Sequence, residues 1–211
     1  MQFTIIPVTP YQQNCSLVWD DNGRAALVDP GGEAPRLVAE IARRGLVPEK
    51  ILLTHGHLDH VGAAAELRER YGIPVEGPHQ AEKFWLDLLP QQAELFGFPP
   101  AEPLAPDRWL DDGDTVVVGA LRFAVLHCPG HTPGHVVFFA PGARLAFVGD
   151  VLFKGSIGRT DFPRGDHAAL LRSIREKLWP LGDDVRFVPG HGAMSTFGHE
   201  RRENPFVAAA G

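Results

Sequence analysis

One stretch decides the fold and the chemistry of this 211-residue sequence: Thr54-His55-Gly56-His57-Leu58-Asp59-His60. It places three imidazoles and one carboxylate within six positions, and both groups ligate divalent metal ions. The whole chain has ten histidines, so chance does not readily produce this density, and a buried cluster of this kind without a partner would be costly. The stretch therefore predicts a metal site with four candidate ligands: His55, His57, Asp59 and His60.

Three further motifs place a ligand-type side chain directly after a predicted strand. They are Pro129-Gly130-His131-Thr132-Pro133-Gly134-His135, Phe147-Val148-Gly149-Asp150 and Val188-Pro189-Gly190-His191-Gly192. In each motif a glycine precedes the candidate ligand, and glycine lets the backbone turn sharply and approach other groups closely. Each motif alone is weak, because a single Gly-His or Gly-Asp after a strand is more often a turn. Together with the first stretch they supply seven candidate ligands, five histidines and two aspartates.

Seven ligands are more than one tetrahedral zinc ion takes. They suit two ions bridged by one carboxylate, and Asp150 is the natural bridge because it is the only acid of this style in the later motifs. Two ions about 3.5–4 Å apart can hold a hydroxide between them and polarise a carbonyl. Mixed histidine and carboxylate ligands without cysteine allow zinc, iron or manganese, and of these we expect zinc first. The sequence thus predicts a hydrolase with two divalent metal ions.

Composition and charge exclude several other classes of protein. The net charge is −6 and no run of lysine or arginine occurs, so nucleic acid is not an expected partner. No apolar stretch reaches the ~20 residues of a membrane span, and the N-terminus lacks the basic region of a signal peptide. Cys15 and Cys128 are too few for a disulfide framework. We expect a cytoplasmic protein with reduced thiols, the alternatives being a single disulfide or a reactive Cys128.

Strand and helix signals alternate along the chain, with several hairpins among them. Asn22-Gly23 between two apolar runs is a strong hairpin signal, and Pro90–Asp107 is expected to be an irregular excursion over the surface. This alternation predicts an α+β protein with layered sheets, mixed strand directions and helices outside. Each candidate ligand cluster follows a strand, where such scaffolds place their sites. Helices are predicted over four ranges: Ala34–Arg44, Gly62–Tyr71, Ala81–Leu89 and Ala168–Leu178.

The four motifs resemble, in the same order, those of the metallo-β-lactamase superfamily. This resemblance implies an αββα four-layer sandwich that forms one metallo-hydrolase domain over residues 1–211. Three further stretches are similar to short bacterial glyoxalase II-like hydrolases: Gly158-Arg159-Thr160-Asp161-Phe162-Pro163, Gly190-His191-Gly192-Ala193-Met194-Ser195-Thr196 and Glu203-Asn204-Pro205-Phe206. That similarity implies hydrolysis of S-acylglutathione thioesters such as S-lactoylglutathione. The chain ends shortly after His191, so the C-terminal helical domain of the long glyoxalase II enzymes is not expected.

The resemblance also implies a role for each candidate residue. Asp59 would orient the attacking hydroxide as well as ligate, while Asp29 and His135 would support the ligands without touching a metal ion. Arg159 and Lys154 would meet the carboxylates of the substrate, although Asp161 stands where the long enzymes carry an aromatic hydroxyl. The two ions would be held as follows: the first by His55, His57 and His131, the second by Asp59, His60 and His191, and both by Asp150.

Other functions within and outside this family stay open at the level of the sequence. The stretch Gly-Arg-Thr-Asp-Phe also resembles persulfide dioxygenases, which use one iron ion. Those enzymes carry a cysteine at the position of His135, so the resemblance to them is weaker. Lactamases of this fold have a similar ligand pattern, but they lack the bridging acid that this chain has at Asp150. A lactone hydrolase would use the same hydroxide, and a metal-binding module without catalysis would not need seven ligands. The remaining histidines are expected to be structural or at the surface: His79, His127, His167 and His199.

Overall fold

The computed structural model describes residues 1–208, and it contains two main β-sheets. The first sheet has five strands in sequence order, antiparallel up to its third strand and parallel from there onward. The hairpin predicted at Asn22-Gly23 is confirmed, since it joins the second and third strands. The bounds are β1 Gln2–Val8, β2 Gln13–Trp19, β3 Arg24–Val28, β4 Val47–Leu52 and β5 Val75–Glu76.

The second sheet has six strands and is antiparallel except at one pair. Its strands are β6 Thr115–Val118, β7 Leu121–His127, β8 Val136–Ala140, β9 Leu145–Gly149, β12 Arg186–Pro189 and β13 Ser195–Thr196. The order across the sheet is β13-β12-β9-β8-β7-β6, with β9 and β12 parallel. Between β9 and β12 the chain forms a short separate hairpin of β10 Leu152–Phe153 and β11 Ser156–Ile157.

Helices cover the outer face of each sheet. They are α1 Ala34–Arg44, α2 Leu58–Val61, α3 Ala64–Tyr71, α4 Lys83–Asp87, α5 Leu89–Phe96, α6 His167–Arg172 and α7 Phe197–Glu203, and a π-helical turn over Ser173–Leu178 continues α6. None of the helices within residues 1–208 combines the length and apolar character that crossing a membrane requires.

Three apolar cores correspond to the three interfaces between four layers. The first core joins the α1–α5 side to the first sheet, through residues such as Leu37, Leu67 and Leu27. The second lies between the sheets, where Val28 and Leu52 meet Phe138 and Phe147. The third joins the second sheet to α6 and α7. The predicted αββα sandwich of one domain is therefore confirmed, although the last three residues of the 1–211 range lie outside the described part.

The prediction of an irregular segment was wrong for the first part of a proline-rich stretch. Pro90–Asp107 was expected to be irregular, yet its first part belongs to α5, in which Leu89, Gln92 and Ala93 are buried. Pro90 lies in the first turn of that helix, where proline is tolerated because the missing N–H has no helical partner there. The helix expected over Ala81–Leu89 is divided into a 3₁₀ turn, α4 and the start of α5.

One edge of the sandwich collects the ends of several strands. The chain leaves β4 of the first sheet at this edge, and β7, β9 and β12 of the second sheet end there too. Asn14 of β2 ties the sheets together, since its side-chain amide donates to the carbonyls of Pro189 and Gly192 at 3.0 and 2.9 Å. The backbone of Val136 likewise donates to the carbonyl of Thr54 at 2.8 Å. The loops at this edge are thus fixed relative to one another.

Candidate metal centre

Three buried imidazoles converge at this edge to form the first cluster. Nδ1 of His57 lies 3.1 Å from Nε2 of His55 and 3.1 Å from Nε2 of His131. Four ligands at the ~2.0–2.1 Å bond length of a tetrahedral zinc ion are about 3.3 Å apart, so these three nitrogens have the spacing of one coordination sphere. His55 and His57 lie in the loop after β4, and His131 lies in the loop between β7 and β8.

A second cluster of three ligand atoms lies beside the first. Asp59 and His60 belong to the short helix α2, and His191 follows β12. Oδ2 of Asp59 lies 3.3 Å from Nε2 of His191 and 3.8 Å from Nε2 of His60. One carboxylate and two imidazoles within this distance are suitable ligands for a second divalent ion.

Asp150 lies between the two clusters and faces both. Its Oδ2 is 3.6 Å from Nε2 of His131 in the first cluster and 3.7 Å from Nε2 of His191 in the second. Its Oδ1 is 3.4 Å from Nε2 of His60. Within residues 1–208, both this Oδ1 and Nε2 of His60 are buried without a hydrogen-bond partner. Buried polar atoms of this kind are costly unless something binds them, and a metal ion would do so. The residues present therefore fit a pair of divalent ions.

Hydrogen bonds from the outer ring nitrogens orient the imidazoles. Nδ1 of His60 lies 2.9 Å from Oδ2 of Asp29, and Nδ1 of His131 lies 2.7 Å from the carbonyl of Arg159. Nδ1 of His191 lies 3.1 Å from the carbonyl of Tyr11. Each acceptor receives a hydrogen bond from Nδ1–H. The proton therefore stays on Nδ1, and Nε2 of the same ring is free to bind a metal ion.

Asp29 and His135 lie behind the clusters rather than in them. Asp29 is near enough to His55 and His60 to join a metal group, but both of its oxygens already accept hydrogen bonds. Its Oδ1 accepts from the backbone N–H of Thr54 at 2.7 Å, and its Oδ2 accepts from the Thr54 hydroxyl at 2.6 Å. Nε2 of His135 accepts from the backbone N–H of Asp150 at 3.0 Å, while its ring stacks on His55. Both residues thus support neighbouring loops.

Two glycines next to candidate ligands are required by space. A Cβ on Gly190 would lie 2.0 Å from Oδ1 of Asp150, well inside any allowed contact. A Cβ on Gly149 would lie 2.5 Å from the Thr54 hydroxyl oxygen, and its φ of +48° is one that other residues seldom adopt. Gly190 and Gly149 therefore leave space for side chains of neighbouring loops, in addition to letting the chain turn.

The charge states of the clusters differ in a way that matters for metal binding. Burial, together with the imidazole of His60, holds the pKa of His55 well below its usual range, and burial and His131 do the same for His57. These rings are neutral, as metal ligands must be. Burial also opposes a charge on His60, but the carboxylates of Asp150 and Asp59 prevail and raise its pKa to about 9. A metal ion entering the second cluster would displace that proton.

Two buried residues that the sequence did not single out hold the ligand loops in place. Oε2 of Glu82 accepts from the backbone N–H of Gly56 at 2.9 Å, and its Oε1 accepts from that of Gly134 at 2.7 Å. Gln92 of α5 accepts from the N–H of Leu58 at 2.9 Å and donates to the carbonyl of Gly56 at 3.2 Å. Glu82 is next to Lys83 and Gln92 is next to Gln91, so no local signal distinguishes either residue from a polar residue at the surface.

A groove of about 790 Å³ opens over both clusters. Arg159 lines this groove, and its guanidinium is paired with the carboxylate of Asp161 through two contacts of 2.6 Å. Lys154 is exposed and is not part of the lining, so the structure does not bring it to the site. Cys128 is a free, buried thiol whose pKa is raised to about 12 by burial, which is incompatible with a reactive thiolate.

Comparison with known proteins agrees with this geometry. The family model of the metallo-beta-lactamase superfamily matches residues 8–191. The hydroxyacylglutathione hydrolase GloC of Haemophilus influenzae is 51% identical over 208 residues, covering 98% of each chain. The chain therefore belongs to the metallo-β-lactamase superfamily, and the predicted resemblance to its glyoxalase II-like members is confirmed.

Solved structures give the same result for the fold. The crystal structure of the B3 metallo-beta-lactamase BLEG-1 has a TM-score of 0.92 and 39% identity, covering 99% of this chain and 100% of that one. The crystal structure of TTHA1623 in a di-iron-bound form has a TM-score of 0.88 and 41% identity, covering 97% and 100%. Family and ligand geometry together indicate a metal-dependent hydrolase.

Proposed function

We propose that the chain hydrolyses thioesters of the S-acylglutathione type, such as S-lactoylglutathione, with two divalent metal ions. The observation that carries this proposal is the position of Asp150, whose two oxygens face both clusters. The similarity to a relative named hydroxyacylglutathione hydrolase supports the substrate class. Zinc is expected first, and the likeness to a structure in a di-iron-bound form supports iron as the alternative, with manganese also compatible with the ligands.

In this proposal each ligand has a defined place. His55, His57 and His131 would hold one ion, and Asp150 would be shared. When bound, the ions would provide a hydroxide nucleophile at neutral pH and polarise the carbonyl of the thioester. The second ion would be held by Asp59, His60 and His191.

The side chains around the ions would complete the reaction. Asp59, whose side chain is 17% exposed, would orient the attacking hydroxide. The leaving group is a thiolate, and a thiol with a pKa of about 8.5 needs little help from a general acid. Arg159 would exchange Asp161 for a carboxylate of the substrate.

His57→Ala tests the metal centre directly. This change removes the nitrogen common to both short contacts of the first cluster, so we expect loss of about half of the bound metal and a fall in kcat of at least about 100-fold. Metal content and hydrolysis of S-lactoylglutathione are measured on the purified protein. His199→Ala, which alters an exposed histidine, is the matched control. A His57→Ala protein that keeps both metal content and activity would show that the assignment is wrong.

A comparison of two basic residues tests substrate capture. Arg159→Ala should raise KM several-fold with a smaller effect on kcat, because Arg159 lines the groove. Lys154→Ala should leave both constants unchanged, because Lys154 lies outside the groove. Equal effects of the two changes would remove Arg159 from the proposed binding site.

Lactam hydrolysis is the second candidate, favoured by the likeness to a B3 metallo-beta-lactamase. A panel of thioesters, lactones and a β-lactam, assayed with the metal-loaded enzyme, separates these activities. Oxygen consumption with glutathione persulfide is assayed beside them, because a persulfide dioxygenase would consume oxygen and a hydrolase would not. We expect the highest kcat/KM for a thioester.

A further inference from the structure

We infer that the groove over the metal centre selects thioesters by an apolar acyl group. Acyl chains longer than lactoyl would then be hydrolysed with a higher kcat/KM. This inference rests on the proposed thioesterase activity and adds the class of acyl group to it. Four features of the groove carry it: the aromatic side chains beside the first cluster, the apolar residues of α5, the exposure of those residues, and the small number of charges.

Aromatic rings enclose the first cluster on the side of the groove. The ring of Trp85 lies 4.6 Å from that of His57, in an edge-on arrangement. The ring of Phe162 lies 4.8 Å from that of His57 and 5.7 Å from that of His131. The two aromatic side chains are themselves 6.0 Å apart. A group bound next to these ligands therefore meets apolar surface.

The apolar surface continues outward from this pair along α5 and the segment after it. Leu88, Leu95, Phe96 and Phe98 line the groove on this side. Tyr11 extends the same surface, since its ring lies 5.6 Å from that of Phe98. Apolar side chains from α4, from α5 and its flanking residues, and from Tyr11 thus belong to the lining of the same groove.

Several of these side chains are exposed although they are large and apolar. Six large hydrophobic residues within residues 1–208 are exposed, and three of them line this groove: Tyr11 at 49%, Leu95 at 76% and Phe96 at 47%. Scattered apolar residues on a surface need no explanation, but several at the mouth of one groove indicate a binding site for an apolar ligand.

The groove offers few charged side chains, besides the candidate metal ligands, to a polar ligand. Apart from the candidate metal ligands, Arg159 is the one charged residue among the described residues that line it, and Asp161 already pairs with its guanidinium. The guanidinium also lies over the ring of Phe162 at 4.4 Å. Glutathione has two carboxylates and one ammonium group, so a single paired arginine leaves most of these charges without a partner. The acyl group must then supply much of the binding energy.

The expected size of the effect follows from burial of methylene groups. Complete burial of one methylene strengthens binding about fourfold, and partial burial in an open groove about twofold. Acetyl, lactoyl, butyryl and hexanoyl thioesters of glutathione are therefore compared with the metal-loaded enzyme. From acetyl to hexanoyl, which differ by four methylenes, we expect kcat/KM to rise at least about tenfold, with lactoyl near the lower end.

Two variants connect this slope to the groove. Leu95→Ala removes an exposed side chain of the apolar surface and should reduce the ratio of hexanoyl to acetyl kcat/KM at least about threefold. Val47→Ala, which alters a similarly apolar residue exposed at 49% outside the groove, should leave that ratio unchanged. A reduction of the ratio by Leu95→Ala alone supports the inference, and equal ratios in all three proteins overturn it.

The outcomes separate the inference from the proposed function. If thioesters are hydrolysed but kcat/KM is independent of chain length or highest for lactoyl, the inference is wrong and the thioesterase activity stands. If the metal-loaded enzyme hydrolyses none of the thioesters, the proposed function is wrong, and the inference falls with it.

Discussion

Asp29 is a single carboxylate that links the backbone of the first ligand loop to a ligand of the second cluster. It accepts from the N–H and the hydroxyl of Thr54, and it accepts from Nδ1 of His60. Its backbone has a φ of +51°, a region that aspartate and asparagine tolerate better than most residues. One residue thus fixes both the direction of the loop and the orientation of an imidazole.

Asp29→Asn should weaken metal binding without unfolding the protein. Asparagine keeps the shape and tolerates the backbone conformation, but it lacks the second oxygen that accepts from His60. Loss of such a supporting acceptor typically lowers metal affinity about 10–100-fold, and we expect this range for the more weakly held ion. Competition with a chelator measures it, with Asp21→Asn at the surface as the control. Equal affinities in the two variants would contradict the role of Asp29.

Glu82 is a buried carboxyl group, and burial disfavours its charged form. Burial raises its pKa to about 7, against the hydrogen bonds from Gly134 and Gly56 that lower it. The unfolded chain loses this proton near its ordinary value of 4.5, so the folded state binds the proton more tightly between these values. Its contribution to stability is therefore full below pH 4.5 and is lost as the pH rises through about 7.

Glu82→Gln should remove this pH dependence from the metal-loaded protein. With the pKa values above, the free energy of unfolding of the wild type should fall by about 1 kcal/mol between pH 6 and pH 8 because of Glu82. Chemical denaturation at several pH values gives the slope for the wild type and the variant. Glu69→Gln, on the exposed face of α3, is the control and should keep the wild-type slope. An unchanged slope in Glu82→Gln would show that another group titrates.

At the scale of elements, α7 and the residue after it hold the β10–β11 hairpin that forms part of the groove. Nδ2 of Asn204 donates to the carbonyls of Ser156 at 3.0 Å and Phe153 at 3.4 Å. Glu200, which is fully buried, accepts from the N–H of Gly155 at 2.8 Å. Within the Glu203-Asn204-Pro205-Phe206 stretch, Asn204 therefore supports the groove without lining it.

Asn204→Ala should loosen the hairpin and affect binding more than chemistry. Removal of a buried amide leaves the carbonyls of Phe153 and Ser156 without that donor, which costs about 1–3 kcal/mol. We expect KM for a thioester to rise several-fold, with metal content unchanged and a smaller effect on kcat. Arg202→Ala, an exposed change on α7, should have no effect on either constant. A loss of metal from Asn204→Ala would place its role at the metal centre instead.

The grouping of the candidate ligands could be predicted from the sequence because their signals are local. His55, His57, Asp59 and His60 lie within six positions, and each later ligand follows its glycine directly. Contacts of Glu82 and Gln92 with Gly56 span 26 and 36 positions, so only the folded chain reveals them. The boundary at Pro90 could not be predicted either, because proline signals both the start of a helix and an irregular segment.

For the whole molecule, the candidate metal centre is a junction between the two sheets. His55, His57, Asp59 and His60 follow β4 of the first sheet, whereas His131, Asp150 and His191 follow strands of the second. The direct ties across this edge include Asn14 and the bond from Val136 to Thr54. Metal ions held by ligands from both sheets would add to these ties, and they would bind only to the folded chain.

Removal of the metal ions should therefore destabilise the protein as a whole and this edge in particular. A ligand present at about 100 times its Kd stabilises the folded state by about 2.7 kcal/mol, and a change of that size lowers Tm by roughly 5–10 °C in a domain of this length. Thermal unfolding before and after chelation measures the change. Hydrogen exchange should increase most in the loops after β4, β7, β9 and β12, where the candidate ligands lie.

The His57→Ala protein is the internal control for this experiment. It lacks part of the first ion's coordination, so chelation should lower its Tm by less than it lowers that of the wild type. A smaller change in Tm for His57→Ala would show that the stabilisation comes from ions at these ligands. Divalent ions bound elsewhere on the surface would change the Tm of both proteins equally. Equal shifts in the two proteins, or hydrogen exchange that rises evenly over both sheets, would mean that the ions do not join the sheets at this edge.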